Sequence, residues 1–205
     1  MIETKTVFRL FCLIVTTFMV LAETNADTLD AGRASNFIEK LGNDAVSMVS
    51  NTDLNNQEKT SRFRALLKKN FALKPIARFV LGRYWRKANS RQRERYVALF
   101  EDYIVRSYSS RFSEYKGETF RIIDEQSQKE SGAVVKTMIL RPEGEAVEVR
   151  WFLREHDGQL KILDVVIEGI SMSLTQRSDF AAAVRKNGGN IDLFLDSFEK
   201  IVNAN

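Results

Sequence analysis

The chain changes its hydrophobic period near Gly117, and this change most restricts the folds that it can adopt. Before that residue, apolar side chains recur every three to four positions, which is the spacing of one helix face. After it, apolar and polar side chains alternate, which is typical of strands with one buried face. In the segment 145–155 the two faces are formed by Val147, Val149, Trp151 and Leu153 on one side, and by Glu148, Arg150 and Arg154 on the other.

Four alternating segments predict a four-stranded sheet. They span residues 118–125, 133–141, 145–155 and 160–169, and the stretches QSQKESG, PEG and HDG connect them with compositions typical of hairpin turns. The second segment is apolar on both faces, so we expect it to lie in the interior of the sheet. In the fourth segment the alternation slips near Leu163, which indicates a β-bulge or burial on both faces.

Helical segments flank the strands on both sides. We expect helices over about residues 29–49, from Asp53 or Asn55 onward, from Pro75 to Gly82, from Asn89 or Ser90 to about 113, over 175–186 and over 190–202. This order indicates an α+β fold, with N-terminal helices and a long helix packed on a curved, mainly antiparallel four-stranded sheet, followed by C-terminal helices. The apolar side chains suit either a filled core or an apolar pocket between sheet and helices, and periodicity does not separate the two.

The first 26 residues are typical of a secretory signal peptide. Lys5 and Arg9 precede the apolar run LFCLIVTTFMVLA, which contains the single cysteine, and small residues at Ala22 and Ala26 offer cleavage sites. An uncleaved membrane anchor is the alternative. After cleavage we expect residues 27–205 to form one domain without a disulfide or a thiol.

The chain is mildly basic, with a formal net charge of +4. Aromatic and positive residues are interleaved in VLGRYWRKANSRQRERY, residues 80–96, where we expect the arginines from Arg86 to Arg95 to face solvent at the start of the long helix. Such a surface fits attraction to an anionic surface or an acidic partner. No nucleic-acid partner is expected, because an exported protein rarely meets nucleic acid.

The sequence carries no recognisable catalytic or cofactor motif. There is no GxxxxGK[ST] loop, and the lone His156 in a turn does not favour a zinc site or a catalytic triad. Asp164 and Glu168 share strand parity, but four strand residues separate them by about 13 Å, too far for an acid/base pair. We therefore expect no catalytic residue, metal or cofactor. The alternative is a small enzyme of isomerase or cyclase type on a half-open α+β cone, with Asp164 or Tyr103 as its acid/base group.

Four ordered blocks, VLGRYWR, FEDYIVRSYSSRFSEYKGE, DVVIEGISM and RSDF, resemble the MlaC family, also called the toluene-tolerance auxiliary family. The resemblance covers essentially the whole chain after the leader. Relatives often have an aromatic residue where Leu160 stands, and this departure concerns local packing more than function.

The resemblance implies a periplasmic phospholipid carrier whose acyl tails enter an apolar pocket between sheet and helices. The implied partners are a glycerophospholipid ligand, an outer-membrane lipoprotein–porin complex and an inner-membrane ABC transporter with a lipid-binding ring. Such a carrier would shuttle phospholipid between the two complexes and maintain the lipid asymmetry of the outer membrane.

Given this implied pocket, the inward side chains of the strands and helices are candidates to bind lipid. They are Phe79, Phe100, Tyr103, Ile104, Met138, Val149, Trp151, Val165 and Ile167, each of which also suits a plain core position. Ile170 and Met172, beside small serines, are candidates for a pocket mouth or a partner-docking edge, and Arg83 and Arg86 for contact with a head group or an acidic partner. A structural ion pair is the alternative role for each arginine.

Overall fold

The computed structural model describes residues 32–128, 132–156 and 158–204, without the side chain of His156. The predicted signal peptide, residues 1–26, and the side chain of the turn histidine therefore lie outside the described residues. Within the described ranges, no helix is both long and apolar enough to cross a bilayer.

Seven α-helices are formed by the described residues. They are α1 Arg33–Ser50, α2 Asn56–Asn70, α3 Leu73–Leu81, α4 Arg83–Lys87, α5 Ser90–Ser109, α6 Met172–Lys186 and α7 Ile191–Ala204. A 3₁₀ turn at Phe112–Glu114 follows α5. The short helix α4 was not predicted, because a five-residue helix shows too little periodicity to be recognised.

Asparagine side chains begin the second and fifth helices. The carboxamide oxygen of Asn55 accepts the backbone N–H of Glu58 at 3.0 Å, and that of Asn89 accepts the backbone N–H of Gln92 at 2.9 Å. The Glu58 and Gln92 side-chain oxygens in turn accept the backbone N–H of Asn55 and of Asn89, which completes a capping box at each helix start. Of the two candidate caps at each helix, the asparagine is confirmed.

Five antiparallel strands form one sheet in sequence order. They are β1 Thr119–Gln128, β2 Gly132–Leu140, β3 Val147–His156, β4 Gln159–Ile167 and the two-residue β5 Ile170–Ser171. The predicted α+β class is confirmed, and the short fifth strand is added to the four that were predicted. As expected, β2 lies inside the sheet with a strand on each side.

The predicted slip in the fourth strand is a β-bulge. Phe152 lies opposite Asp164, but the next residue, Leu153, lies opposite Ile162, so that Leu163 is the extra residue. A second bulge places an extra residue, Ile123, between the first two strands. The sequence showed the first bulge because an apolar residue occupied a polar position in the alternation.

Two apolar clusters form the core. One is built by helices α3 to α7, with the rings of Tyr96, Phe100, Phe180, Phe194 and Phe198 at its centre. The other joins α1 to the inner face of the sheet, and its buried members are Ala34, Ile38, Leu41, Ala133, Val135, Leu153, Leu160 and Ile162. Side chains of α2, α3 and α5 face the boundary between these clusters.

Two arginines at the start of α5 are bound within the chain. The Arg93 Nε donates to the backbone oxygen of Trp85 at 3.0 Å, and its guanidinium lies over the indole ring. Arg95 forms an ion pair with Asp196 on α7 at 2.8 Å. The expectation that the arginines from Arg86 to Arg95 face solvent is therefore wrong for these two, because α4 and α7 pack beside the helix start. Arg86 itself is exposed.

Candidate functional site

An apolar cavity of about 270 Å³ lies between the sheet and helices α2, α3, α5 and α6. The side of the sheet contributes Trp151 and the segment from Leu163 to Ile167. The cavity is lined by Phe63, Leu67, Phe71, Leu73, Ile76, Val80, Phe100, Ile104, Tyr108, Trp151, Leu163, Asp164, Val165, Ile167, Met172, Ser173 and Gln176. Most of these side chains are hydrocarbon, so the cavity suits an apolar ligand.

Ion pairs and a backbone hydrogen bond join the elements that surround the cavity. On α2, the Arg64 guanidinium forms ion pairs with Glu101 and Asp102 of α5, each at 2.7 Å. At the end of α2 the chain runs beside β4, where the Ala72 N–H donates to the Ile162 carbonyl at 3.0 Å. These contacts join α2 to α5 and the end of α2 to β4, beside the cavity.

Three polar residues border one side of the cavity: Asp164, Ser173 and Gln176. The Asp164 carboxylate accepts hydrogen bonds from the Ser171 hydroxyl at 2.5 Å, from the Ser173 N–H at 3.0 Å and from the Val165 N–H at 2.9 Å. It thus joins β4 to the first turn of α6, where a negative charge also suits the positive end of the helix. Its oxygens are engaged in structure, which is not the arrangement of a free general base.

The side chain of Tyr108 marks where the cavity meets solvent. It lines the cavity, is 40% exposed, and its hydroxyl lies 4.0 Å from the sulfur of Met172. Burial of the phenol raises the pKa of Tyr108, with a smaller contribution from Tyr103, so the group is neutral at physiological pH. This end of the cavity thus offers a weak hydroxyl donor beside apolar walls.

A second cavity of about 250 Å³ lies between α1 and strands β1 to β3. Its lining includes Ile38, Ala45 and Val46 from the helix and Phe120 from the sheet. Trp151 borders this cavity as well as the first. A third cavity, of about 370 Å³, lies among α5, α6 and α7, on the outside of the aromatic cluster.

The structure brings five of the nine predicted lipid-binding residues to the first cavity. They are Phe100, Ile104, Trp151, Val165 and Ile167. The predicted docking residue Met172 lines the same cavity. Their proximity follows from two patterns that the sequence displays, the apolar stripe of α5 and the inward parity of β3 and β4.

Four predicted residues lie outside that cavity. Phe79 is 40% exposed with the Arg177 guanidinium 4.7 Å over its ring, and Tyr103 packs on Phe180 and Phe198 in the helical cluster. Met138 lies opposite Glu148, on the sheet face away from Trp151, and Val149 is buried opposite Thr137 and Ile167. Whether any of these contacts lipid stays a prediction.

Several wall residues were not among the predicted lipid-binding candidates, chiefly Phe63 and Leu67 of α2, Phe71 of the connection that follows, and Leu73 and Ile76 of α3. The apolar faces of these helices were visible in their periodicity. What periodicity does not indicate is which of two neighbouring clusters a helix face will contact. That choice depends on the crossing of the helices over the sheet.

The predicted docking residues fall at two places. Arg83, on α4, donates to the hydroxyl of Tyr84 at 3.0 Å, and this hydrogen bond lowers the pKa of Tyr84. Arg86 is exposed on the same helix. Ile170, in β5, is 58% exposed, two residues before the start of α6. Their contact with a partner stays a prediction.

The fold and the cavity define a class: an α+β domain whose sheet and helices enclose an apolar space that opens to solvent. Residues 39–200 match the family described as MlaC protein. Because this match covers most of the chain, the protein belongs to the MlaC family, as the four sequence blocks indicated.

Two relatives and one solved structure support this assignment. The chain is 24% identical over 116 residues to the toluene tolerance protein ttg2D of Pseudomonas putida, a match of 57% of this chain and 54% of that protein, about half its length. It is 21% identical over 204 residues to the intermembrane phospholipid transport system binding protein MlaC of Haemophilus influenzae, covering 98% and 94% of the two chains.

The structure of a phospholipid-binding protein from Ralstonia solanacearum, in complex with a phospholipid, has the same fold. It superimposes with a TM-score of 0.72 at 17% sequence identity, over 83% of this chain and 97% of that one. At this identity the likeness concerns the fold.

Proposed function

We propose that this protein is a periplasmic carrier of glycerophospholipid. The observation that carries the proposal is the 270 Å³ cavity between sheet and helices, which is lined mainly by hydrocarbon side chains. Membership of the MlaC family supports it, as does the phospholipid in the Ralstonia solanacearum structure of the same fold. The signal peptide predicted for residues 1–26 supports the periplasmic location.

The energetics of acyl chains require such a cavity. Each methylene group moved out of water gains about 0.8 kcal/mol, so a bare acyl chain has a very low solubility in water. A dry protein cavity replaces one apolar surrounding by another, which keeps the transfer from a membrane close to neutral. The proposed function therefore contains no catalytic step, and the engaged carboxylate of Asp164 agrees with this.

We further propose that the carrier moves phospholipid between an outer-membrane lipoprotein–porin complex and an inner-membrane ABC transporter ring, to maintain outer-membrane lipid asymmetry. The name of the Haemophilus influenzae relative, an intermembrane phospholipid transport system binding protein, supports this. The exposed side chains of Ile170 and Leu174 lie near the Met172 side of the cavity and suit contact with a partner.

Lipid binding is tested by two glutamate variants on one helix. Ile76 lines the cavity, whereas Phe79, one turn later on α3, lies outside it. Ile76→Glu therefore places a negative charge inside the cavity, and Phe79→Glu places the same charge outside it. After incubation with phosphatidylglycerol vesicles, native mass spectrometry should show bound phospholipid in the wild type and in Phe79→Glu. Ile76→Glu should be largely empty, because an unpaired carboxylate in an apolar cavity disfavours the ligand.

A wild-type protein that is folded, takes no lipid from vesicles and carries none from cells would overturn the carrier function. If Phe79→Glu is empty and Ile76→Glu is loaded, the cavity described above is not where the lipid binds. Circular dichroism of both variants establishes that they are folded.

The shuttling step is tested separately with the two membrane complexes in vesicles. Labelled phospholipid should pass from one set of vesicles to the other in the presence of the wild-type carrier. Ile170→Asp and Arg86→Glu should load lipid normally but slow this transfer, whereas normal transfer by both variants would place the docking surface elsewhere.

A further inference from the structure

The indole of Trp151 lies between the first and second cavities. The first cavity holds about 270 Å³ and the second about 250 Å³, and Trp151 is the one described residue common to the two linings. The first cavity is bounded by α2, α3, α5 and α6, and the second by α1 and the first three strands. The ring is therefore a wall that separates two spaces of similar size.

The Trp151 ring is positioned by one hydrogen bond and by packing against the α1–sheet cluster. The Trp151 Nε1–H donates to the Thr137 hydroxyl at 3.0 Å. Thr137 is 1% exposed, and its hydroxyl has one other partner, the Val149 carbonyl, at 3.4 Å. Because Trp151 borders a cavity on each side, its ring has space into which it can turn, and turning forfeits one neutral hydrogen bond and part of its packing on the α1–sheet cluster.

The second cavity suits hydrocarbon. Helix α1 presents small or branched apolar side chains to it, among them Ala45 and Val46. Gly42 adds room for the facing ring, since a Cβ atom there would lie 2.2 Å from the Phe120 side chain. Glu118 also borders the cavity, but its carboxylate accepts the Lys116 N–H at 2.8 Å in its own turn. An occupant of this space has no polar group to satisfy.

We propose that Trp151 is a movable partition that determines which acyl chain lengths the protein accepts. A short chain fills the first cavity and ends at the indole. A longer chain displaces the indole from Thr137, and its terminal methylenes then occupy the second cavity. This inference rests on the proposed function, because it assigns a chain-length role to the same lipid site.

Chain-length competition tests the partition. The protein is incubated with vesicles that contain equal amounts of dilauroyl and dioleoyl phosphatidylglycerol, and native mass spectrometry gives the ratio of long-chain to short-chain lipid bound. Trp151→Ala joins the two cavities and should raise this ratio about threefold or more, since a long chain no longer has to break the neutral hydrogen bond of the indole to enter the second cavity. Phe152→Ala, one residue later on β3 and on the other face of the sheet, lines neither cavity and should leave the ratio unchanged.

The reverse change is made from the helix. Ala45→Phe fills the second cavity and should lower the ratio of long-chain to short-chain lipid, whereas Asn43→Phe, on the exposed side of α1, should not. Thr137→Val removes the hydroxyl that accepts the indole N–H, with little change of side-chain shape. Like Trp151→Ala, it should raise the ratio of long-chain to short-chain lipid. Wild-type ratios in Trp151→Ala, Ala45→Phe and Thr137→Val, with normal loading, would overturn the partition and leave the carrier function intact.

A fluorescence measurement keeps the test independent of these variants. In Trp85→Phe, the remaining tryptophan among the described residues is Trp151, and phospholipids brominated at different depths report its neighbours. Bromine near the chain end should quench the tryptophan emission more than bromine near the carboxyl group. Dioleoyl lipid should shift the wavelength of maximum emission more than dilauroyl lipid. Equal quenching at both depths by bound lipid excludes the partition, while absence of bound lipid in the wild type would overturn both this inference and the proposed function.

Discussion

The helical aromatic cluster and the sheet–helix contact use similar side chains but pack differently. In the cluster, the Phe180 ring contacts five other rings at centroid distances from 5.0 to 6.0 Å. Between the sheet and the helices, the walls stand apart and leave about 270 Å³. Helix α5 belongs to both regions, since Tyr96 lies at the centre of the cluster while Ile104 and Tyr108 line the cavity.

The difference shows that apolar character does not by itself determine whether a region is filled. The cluster is closed by α6 and α7, which cover it with aromatic side chains. The cavity is bounded by elements that are joined at its border by polar contacts, such as the Arg64 ion pairs and the hydrogen bond of Ala72 to Ile162, while their apolar side chains line an open space. A packed core and a cavity can therefore lie along one helix, and Phe100 contributes to both.

The largest effect is expected where the cluster is closed. Phe180→Ala should lower the free energy of unfolding by about 3–5 kcal/mol, because it removes a ring that five others contact. Ile104→Ala, at the wall of an existing cavity, should lower the free energy of unfolding by only about 1–2 kcal/mol, because the Ile104 side chain buries less apolar area than the Phe180 ring. Urea denaturation measures both values. Equal costs would mean that the two regions are packed alike and would remove the distinction drawn above.

A smaller effect is expected at the junction between the sheet and α6. Asp164→Asn keeps the shape of the side chain but removes the charge that accepts the Ser171 hydroxyl and the Ser173 N–H. We expect a loss of about 1–2 kcal/mol in the free energy of unfolding, with normal loading of phospholipid.

Mass spectrometry of the lipid after incubation provides the control for this variant. If the protein is a carrier, the mass of the lipid is unchanged after incubation with either the wild type or Asp164→Asn. A lipid modified by the wild type and left intact by the variant would instead support an enzyme that uses Asp164.

The smallest effect, with the opposite sign, is expected inside the cluster. Tyr96 is fully buried and its hydroxyl has no hydrogen-bond partner among the described residues. Tyr96→Phe removes this unpaired group and should raise the free energy of unfolding at neutral pH by about 1 kcal/mol or less.

The pH dependence of stability gives a second measurement of the same group. Burial raises the pKa of Tyr96 well above its usual value, so the stability that its neutral form provides is present below about pH 10 and is lost as pH rises towards the folded pKa. Tyr96→Phe should therefore lose less stability than the wild type above about pH 10. Identical alkaline unfolding curves would show that the phenol is not buried as described.

Local features were predictable where one residue type carries the signal. Asn55 and Asn89 were candidate caps because their side chains accept the free N–H groups of a helix start, and both act as caps. The bulge at Leu163 was visible as a break in strand alternation. The inward parity of β3 predicted that Trp151 and Val149 share a face, but not that Trp151 reaches a cavity while Val149 is enclosed in the sheet.

The wall of the site was less predictable for a geometric reason. Phe79 and Ile76 are both apolar residues of α3, three positions apart, yet Ile76 lines the cavity and Phe79 packs under the guanidinium of Arg177. Which of them faces the sheet depends on how α3 is rotated against β4 and α6. That rotation is determined by contacts distant in sequence, such as the hydrogen bond from Arg177 to the Phe79 carbonyl.

The sequence by itself determined the periods, the caps, the order of elements and hence the α+β class, because these depend on neighbours within a few residues. The change of period near Gly117 marks where helices give way to strands. Only the tertiary structure decided that a cavity remains between sheet and helices and that Trp151 separates it from a second one. The physical reason is that a cavity wall and a filled core require the same apolar side chains, and they differ only in how closely elements distant in sequence approach one another.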